Sequence, residues 1–109
     1  MAEVSRGEIW QFAFPKPSGK RPVLVLTRDD MIEGLNTVTV APLTSTIRDV
    51  PSEVVVGQEV GLKHPSAINL HHLATVPKAG LRTYVGTAPP EVMRRVREAM
   101  LFALGFGAR

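Results

Sequence analysis

Hydrophobic residues occupy short runs along the first 87 positions, and turn-forming residues separate these runs. Such short, β-branched-rich segments between turn signals predict β-strands. PVLVLT is almost continuously apolar and predicts a fully buried strand, whereas Val38 and Val40 alternate with threonines and predict a strand with one wet face. Pro42 is expected to end that strand's pairing or to mark a sheet edge. The predicted strands cover residues 7–14, 22–27, the stretch NTVTVAPLTS (36–45), 52–56 and 66–76, with a short strand or irregular segment at 81–87.

The periodicity changes after Pro89, where apolar residues recur at spacings of three and four. This pattern predicts an amphipathic helix that begins near Pro90 and ends at Gly105. Arg94, Arg95 and Arg97 fall on its other face, where solvated charges are expected. RDDMIEGL (28–35) indicates a loop or one helical turn. Several strands followed by one helix predict a small, mostly antiparallel barrel or half-barrel with the helix packed on it.

Composition narrows the class of protein without identifying it. The 109 residues suit a single domain over residues 1–109, with a net charge of +3 that permits a polyanionic partner without requiring one. Cysteine is absent from the sequence, which excludes disulfides and cysteine nucleophiles. No apolar run is long enough to span a bilayer, and the amino terminus lacks a signal-peptide pattern. A cytoplasmic protein without membrane association is expected.

Common catalytic motifs are missing from the sequence. His71 and His72 are adjacent, so on a strand they would face opposite ways and could not easily share a metal ion. HExxH, paired carboxylates, phosphate-binding glycine loops and GxSxG do not occur. We therefore expect no metal site and no cofactor.

Arg21 stands where the turn GKRP enters the buried strand VLVL. Its guanidinium offers a planar set of donors that suits phosphate, and Thr44 offers a hydroxyl at another strand end. The residues alone leave two interpretations open, an anion site at Arg21 or a solvated charge at the end of a strand.

The order of several motifs resembles the MazF/PemK toxins of bacterial type II toxin–antitoxin systems. The combination of RGEIW, RPVLVLT and APLTS is fairly specific, although each motif alone is weak. The matching stretches are RGEIW (6–10), RPVLVLT (21–27), TVAPLTSTI (39–47), GLKHPSAINL (61–70), ATVPKAGL (74–81) and VGTAPPEVMRRVREAMLFALG (85–105).

The resemblance implies an SH3-like β-barrel with a C-terminal helix that works as a homodimer. It further implies a metal-independent endoribonuclease, an mRNA interferase that cuts single-stranded RNA at short motifs through the substrate's own 2′-hydroxyl. The products would carry a 2′,3′-cyclic phosphate and a 5′-hydroxyl, and translation and growth would stop. A cognate MazE-like antitoxin would cover the site with an extended segment.

Carried over residue by residue, the family's catalytic arginine falls on Arg21 and its strand-end threonine on Thr44. Both would stabilise the charge that develops on the phosphoryl oxygens in the transition state. Arginine is a poor general base, so its role would be electrostatic, with proton donation to the leaving 5′-oxygen as a further option.

Some positions depart from the family pattern. The loop PKPSGK is short and lacks the glutamate found in many relatives, which leaves the cleavage motif open. His71 takes the position of an acid in some relatives and Asn69 that of an arginine. Histidine as a residue type changes charge near neutral pH, so His71 could act as general base or simply pack at the surface. The expected RNA-binding residues are Lys16, Lys20, Arg28, Ser45, Ser66 and Asn69.

Two other functions compete with the ribonuclease. A CcdB-like toxin would bind a protein target such as DNA gyrase, but those toxins depend on a Trp-Gly-Ile end, whereas this chain ends GFGAR. A non-catalytic SH3-like binding module is the other alternative, and the absence of RNA cleavage and of toxicity would favour it.

Overall fold

Seven β-strands and two α-helices form the part of the chain that the computed structural model describes, residues 3–107. Short 3-10 turns follow two of the strands, at Gln58–Val60 and Lys78–Gly80. The strands are β1 Glu8–Ala13, β2 Lys20–Val25, β3 Thr37–Thr44, β4 Glu53–Val56, β5 Ser66–Asn69, β6 Ala74–Pro77 and β7 Thr83–Thr87, and the helices are α1 Asp29–Ile32 and α2 Pro90–Leu104.

All observed strand pairs are antiparallel, in the order β4-β5-β3-β2-β1-β7. Strand β6 also pairs with β3, beside β5 on the same edge. The sheet therefore bends around β3, which contacts three other strands. This arrangement confirms the expected half-barrel with a C-terminal helix.

Strand β3 continues through Pro42 to pair with β5, so the expectation that Pro42 marks a sheet edge is wrong, whereas the pairing of β3 with β2 does end at Pro42. Pro42 stands opposite Val23 of β2. Because the amide of Leu26 donates to the Thr39 carbonyl at 2.9 Å, alternation turns the Pro42 nitrogen away from β2. On that side, pairing with β6 stops at Val40 and pairing with β5 starts at Leu43. The missing N–H of proline therefore falls where β3 changes neighbours.

The sheet buries apolar side chains on both faces, as the continuous apolar run of β2 requires. Leu24, Ala41 and Leu43 face a core closed by α2, and Val23 and Val25 face a second core closed by Ile32 of α1. Burial of Val23, Leu24 and Val25 on the two faces fixes the register of β2, because a slip by one residue would exchange the two sets. The first residue of the site, Arg21, extends from this rigid strand.

Helix α2 matches the predicted bounds, with Pro90 in its first turn and Gly105 at its C-cap with φ of 80°. Val92, Val96 and Ala99 bury one face against the sheet. Arg94, Arg95 and Arg97 are exposed, as expected. Within residues 3–107, no helix is long and apolar enough to cross a membrane.

The long strand expected over residues 66–76 is wrong, because a turn divides it into β5 and β6. The Asn69 side-chain oxygen accepts the backbone N–H of His71 at 3.1 Å and so stabilises the turn. His71 and His72 therefore do not alternate across a strand. Their rings instead pack edge to face with centroids 4.7 Å apart.

Candidate active site

Arg21 is the second residue of β2 and stands opposite Phe12 of β1. Its side chain is half-buried, and Nη2 lies 3.4 Å from the Ser18 carbonyl oxygen. Its Nε is buried without a hydrogen-bond partner. The ion pairs among residues 3–107 join Arg28 to Asp30 and Arg97 to Glu98, so no described carboxylate neutralises Arg21. A half-buried guanidinium that lacks a neutralising carboxylate attracts an anion.

Thr44 is the last residue of β3, and its side chain is half-buried. Its Oγ1 accepts the backbone N–H of Thr46 at 3.1 Å. Because the oxygen is used there as an acceptor, the hydroxyl hydrogen is free to donate to another group. The geometry therefore suits a hydrogen bond from Thr44 to an anionic oxygen.

The register of β2 and β3 relates these two residues directly. Val23 pairs with Pro42 and Val25 with Val40, and continuing the register by two residues sets Arg21 opposite Thr44. The β2–β3 pairing itself ends at Val23–Pro42, so Arg21 and Thr44 lie two residues beyond its last pair and share one sheet face by alternation. Two donors from neighbouring strands thus lie at one end of the sheet.

Ser45 and Ser66 lie at the same end of the sheet. Thr44 pairs with Ala67 of β5, and the next step of this register brings Ser45 opposite Ser66. Ser45 is exposed and Ser66 half-buried. Because Ser66 directly precedes Ala67, the partner of Thr44, strand alternation turns the Ser66 side chain to the other face of the sheet, and Ser45 follows the same register. The structure therefore does not add these two hydroxyls to the face that carries Thr44.

The three basic residues expected to bind RNA are not together. Lys16 lies exposed in the loop before β2, close in sequence to Arg21. Lys20 directly precedes Arg21 in β2, so strand alternation turns it to the other face. Arg28 lies beyond the opposite end of β2, where Nε is 2.8 Å from Asp30 Oδ1. The structure therefore separates Arg28 from Arg21 and Thr44.

Asn69 is the last residue of β5 and His71 lies in the turn that follows, so neither lies beside Thr44. Asn69 is 8% exposed, and its amide contacts His71 N and His72 Nδ1. The exposed His71 places Nδ1 2.5 Å from Oγ of Ser52. Along β5, Asn69 is two residues beyond Ala67, the partner of Thr44, which is about 7 Å at strand spacing. The hydrogen bonds of the Asn69 and His71 side chains therefore lie in and next to the turn, and not at Arg21 or Thr44.

Phe12 is a residue of this region that the sequence reasoning missed. It lies between β2 and β7 and directly opposite Arg21. The signal was present as the period-2 pattern Phe12-Ala13-Phe14, which puts two aromatic rings on one face near a strand end. Arg21 therefore has an aromatic neighbour on one side and Thr44 on the other.

The side chains of Arg21 and Thr44 are hydrogen-bond donors. Among residues 3–107, no three histidine, aspartate or glutamate side chains are grouped to hold a metal ion. The site instead offers a guanidinium and hydroxyl donors. Such a set can bind a phosphodiester and stabilise negative charge as it develops.

Comparison with known proteins agrees with this fold. The family model described as PemK-like, MazF-like toxin of type II toxin-antitoxin system matches residues 5–104. Probable endoribonuclease MazF5 of Mycobacterium tuberculosis is 38% identical over 103 residues, which are 92% of each chain. Endoribonuclease MazF3 of the same organism is 41% identical over 66 residues, 61% of this chain and 64% of MazF3. This second match thus spans slightly less than two thirds of the relative.

A solved structure supports the same relationship. The Mycobacterium tuberculosis toxin MazF-mt6 superimposes with a TM-score of 0.84 at 31% sequence identity, over 92% of this chain and 98% of that chain. The family match covers both Arg21 and Thr44. The chain belongs to the PemK-like, MazF-like toxins of type II toxin–antitoxin systems.

Proposed function

We propose that this protein is a metal-independent endoribonuclease toxin that cuts single-stranded RNA at a short sequence motif. The observation that supports it best is the half-buried guanidinium of Arg21, which no described carboxylate neutralises, at the same end and on the same face of the sheet as the donor hydroxyl of Thr44. Related proteins that carry the name endoribonuclease MazF support the same reaction class.

Arg21 and Thr44 suit a transesterification in which the RNA supplies its own nucleophile. The 2′-oxygen attacks the adjacent phosphorus, a bond from O2′ to phosphorus forms, and the bond from phosphorus to O5′ breaks. One proton leaves the 2′-hydroxyl and one is added to the 5′-oxygen, which gives a 2′,3′-cyclic phosphate and a 5′-hydroxyl. Negative charge grows on the non-bridging oxygens, and Arg21 and Thr44 donate to them.

The surrounding structure favours a preorganised site. Arg21 precedes the segment of β2 that is buried on both faces, Val23 to Val25, and the hydrogen bond from Thr46 N fixes the Thr44 hydroxyl. Donors that are already oriented need little reorganisation as charge develops, which is the main source of their effect on rate. Lys16, exposed in the loop before β2, would bind the flanking backbone.

Membership of a type II toxin–antitoxin family suggests the partners. We propose that the protein acts as a homodimer in the cytoplasm, where RNA cleavage stops translation, and that a cognate antitoxin encoded with it covers Arg21 and Thr44. Single-stranded RNA is the substrate, and recognition is by unstacked bases and phosphates.

The decisive experiment incubates purified protein with a mixed RNA pool in EDTA and sequences the resulting ends. We expect 5′-hydroxyl and cyclic phosphate ends at a recurring motif, and loss of cleavage by at least about a hundredfold in Arg21→Ala. Arg97→Ala is the matched control, because Arg97 is an exposed arginine of α2 that pairs with Glu98. Growth arrest without RNA cleavage would favour a protein target, and the absence of both would favour a binding module.

A further inference from the structure

Phe12 and Phe14 form an aromatic pair at the end of β1 that borders Arg21. Their ring centroids are 4.8 Å apart at an interplanar angle of 68°. Both rings pack at the margin of the second core and remain half-buried, so part of each faces solvent. Since Phe12 is the register partner of Arg21, this aromatic surface adjoins the proposed phosphate site.

Gly80 and the backbone of the hairpin loop hold the Phe12–Phe14 pair in place. A Cβ added to Gly80 would lie 2.5 Å from Cε1 and 3.0 Å from Cδ1 of Phe12, so the ring passes directly over this glycine. The backbone N–H of Phe14 donates to the Gly19 carbonyl at 3.1 Å, which fixes Phe14 at the base of the hairpin loop. A rigid aromatic surface binds a flat partner at a low cost in conformational entropy.

Positive charge flanks this pair on both sides. The register of β1 and β7 pairs Gln11 with Thr83, and one further step sets Arg82 beside Phe12, on the side away from Arg21. Arg82 is exposed and has no ion pair among the described residues. Aromatic rings between cationic side chains are typical of surfaces that bind single-stranded nucleic acid, in which bases stack and phosphates lie on the charges.

We propose that Phe12 and Phe14 are a stacking platform for a nucleobase next to the cleaved phosphate, and that Arg82 contacts the following phosphate. This inference rests on the proposed RNA cleavage at Arg21. It names a substrate-binding surface in which Phe14 holds the base and Phe12 supports Phe14. The platform affects RNA binding more than the chemical step, because neither ring carries a group that donates to the phosphoryl oxygens.

The test is a fluorescence titration with single-stranded RNA that carries 2-aminopurine next to the cleavage position and a 2′-deoxy sugar at it. Stacking of 2-aminopurine on an aromatic ring quenches its emission. We expect quenching with the wild-type protein, about tenfold weaker binding with little quenching for Phe14→Leu, and binding close to wild type for Phe14→Trp. In cleavage assays Phe14→Leu raises KM and leaves kcat within about twofold.

Phe106→Leu is the matched control, since Phe106 is 79% exposed beyond α2 and binds within about twofold of wild type. Arg82→Gln leaves the packing intact and lowers the slope of log affinity against log salt by about 0.7. The platform is overturned if Phe14→Leu binds RNA and quenches 2-aminopurine as the wild-type protein does. It is also overturned if Phe14→Trp binds as weakly as Phe14→Leu. If Phe14→Leu melts early, an unchanged salt slope and affinity in Arg82→Gln overturn the proposal on their own.

Failure of the cleavage reaction is a separate result. If the protein cuts no RNA, the same titration with 2-aminopurine in oligoadenylate still measures the platform, because base stacking tolerates any sequence. Quenching that depends on Phe14 without cleavage supports the platform and refutes the ribonuclease. Cleavage without any effect of Phe14 refutes the platform alone.

Discussion

Replacing Thr44 by valine keeps the shape of the side chain and removes the hydroxyl on which the proposed chemistry depends. The expected loss of stability is much smaller than the expected loss of cleavage rate. The hydroxyl accepts one exposed backbone N–H, from Thr46, so its loss costs about 1 kcal/mol of stability or less. Loss of one transition-state donor lowers cleavage by about 10² to 10³, which corresponds to about 2.7 to 4 kcal/mol of barrier.

Thr27 provides a matched control for Thr44. Its Oγ1 also accepts a backbone N–H, from Thr39 at 2.8 Å, but Thr27 follows the opposite end of β2. Thr27→Val therefore loses an equivalent or larger share of stability, about 1 kcal/mol, without touching the candidate site. We expect Thr44→Val to melt no earlier than Thr27→Val and yet to be the inactive variant of the two.

The assay measures single-turnover cleavage of a fluorogenic RNA in EDTA, with thermal unfolding followed on the same samples. Thr44→Ser should recover most of the rate, because it restores the donor on a smaller side chain. Cleavage by Thr44→Val within about threefold of wild type would refute the role of this hydroxyl. Equal loss of activity in Thr27→Val would show that the rate depends on stability and not on a donor at Thr44.

Three further results are expected. Gly86→Ala lowers the free energy of unfolding by about 2 kcal/mol or more in chemical denaturation, because a Cβ would lie 2.7 Å from the Val60 carbonyl carbon. Gly34→Ala is its control: the nearest atom to the added Cβ lies at 3.9 Å, so the free energy of unfolding changes by under about 0.5 kcal/mol. His71→Ala cleaves RNA within about threefold of wild type between pH 5.5 and 7.5, and a lost limb of the pH–rate profile would instead identify a general base. Lys16→Gln weakens RNA binding and lowers the slope of log affinity against log salt concentration by about 0.7. An unchanged slope would show that the RNA backbone does not contact Lys16.

The features that depend on local sequence were predictable. Helix α2 has an apolar stripe, a proline in its first turn and a glycine that adopts φ of 80° at its end, and each of these signals acts within a few residues. The break between β5 and β6 was missed because Leu70 and Leu73 continue an apolar pattern through the turn. Asn69 was the available signal, since its side chain bonds the backbone two residues ahead.

The arrangement of the site depends on contacts that sequence distance conceals. Nothing in the local pattern sets Arg21 opposite Thr44, because that requires the order and register of β2 and β3. Only the resemblance to a known family suggested the pair. The separation of Arg28 from Arg21 follows from the same geometry, since the buried end of β2, Val23 to Val25, lies between them. Proximity in sequence is therefore a poor guide to a shared surface when a strand intervenes.

The loop before Arg21 and the loop after Thr44 are both held by hydrogen bonds within the chain, which bears on the conformational entropy lost when RNA binds. The loop before β2 is closed by the bond from Phe14 N to the Gly19 carbonyl. The loop after β3 is held by Glu53, whose Oε1 accepts the N–H groups of Arg48 and Asp49 at 3.0 and 3.1 Å. Because both loops are anchored within the chain, the donors are placed before any ligand arrives. The entropy lost on binding then falls mainly on the RNA, so flexible single strands should be cut and stably stacked or paired segments should resist.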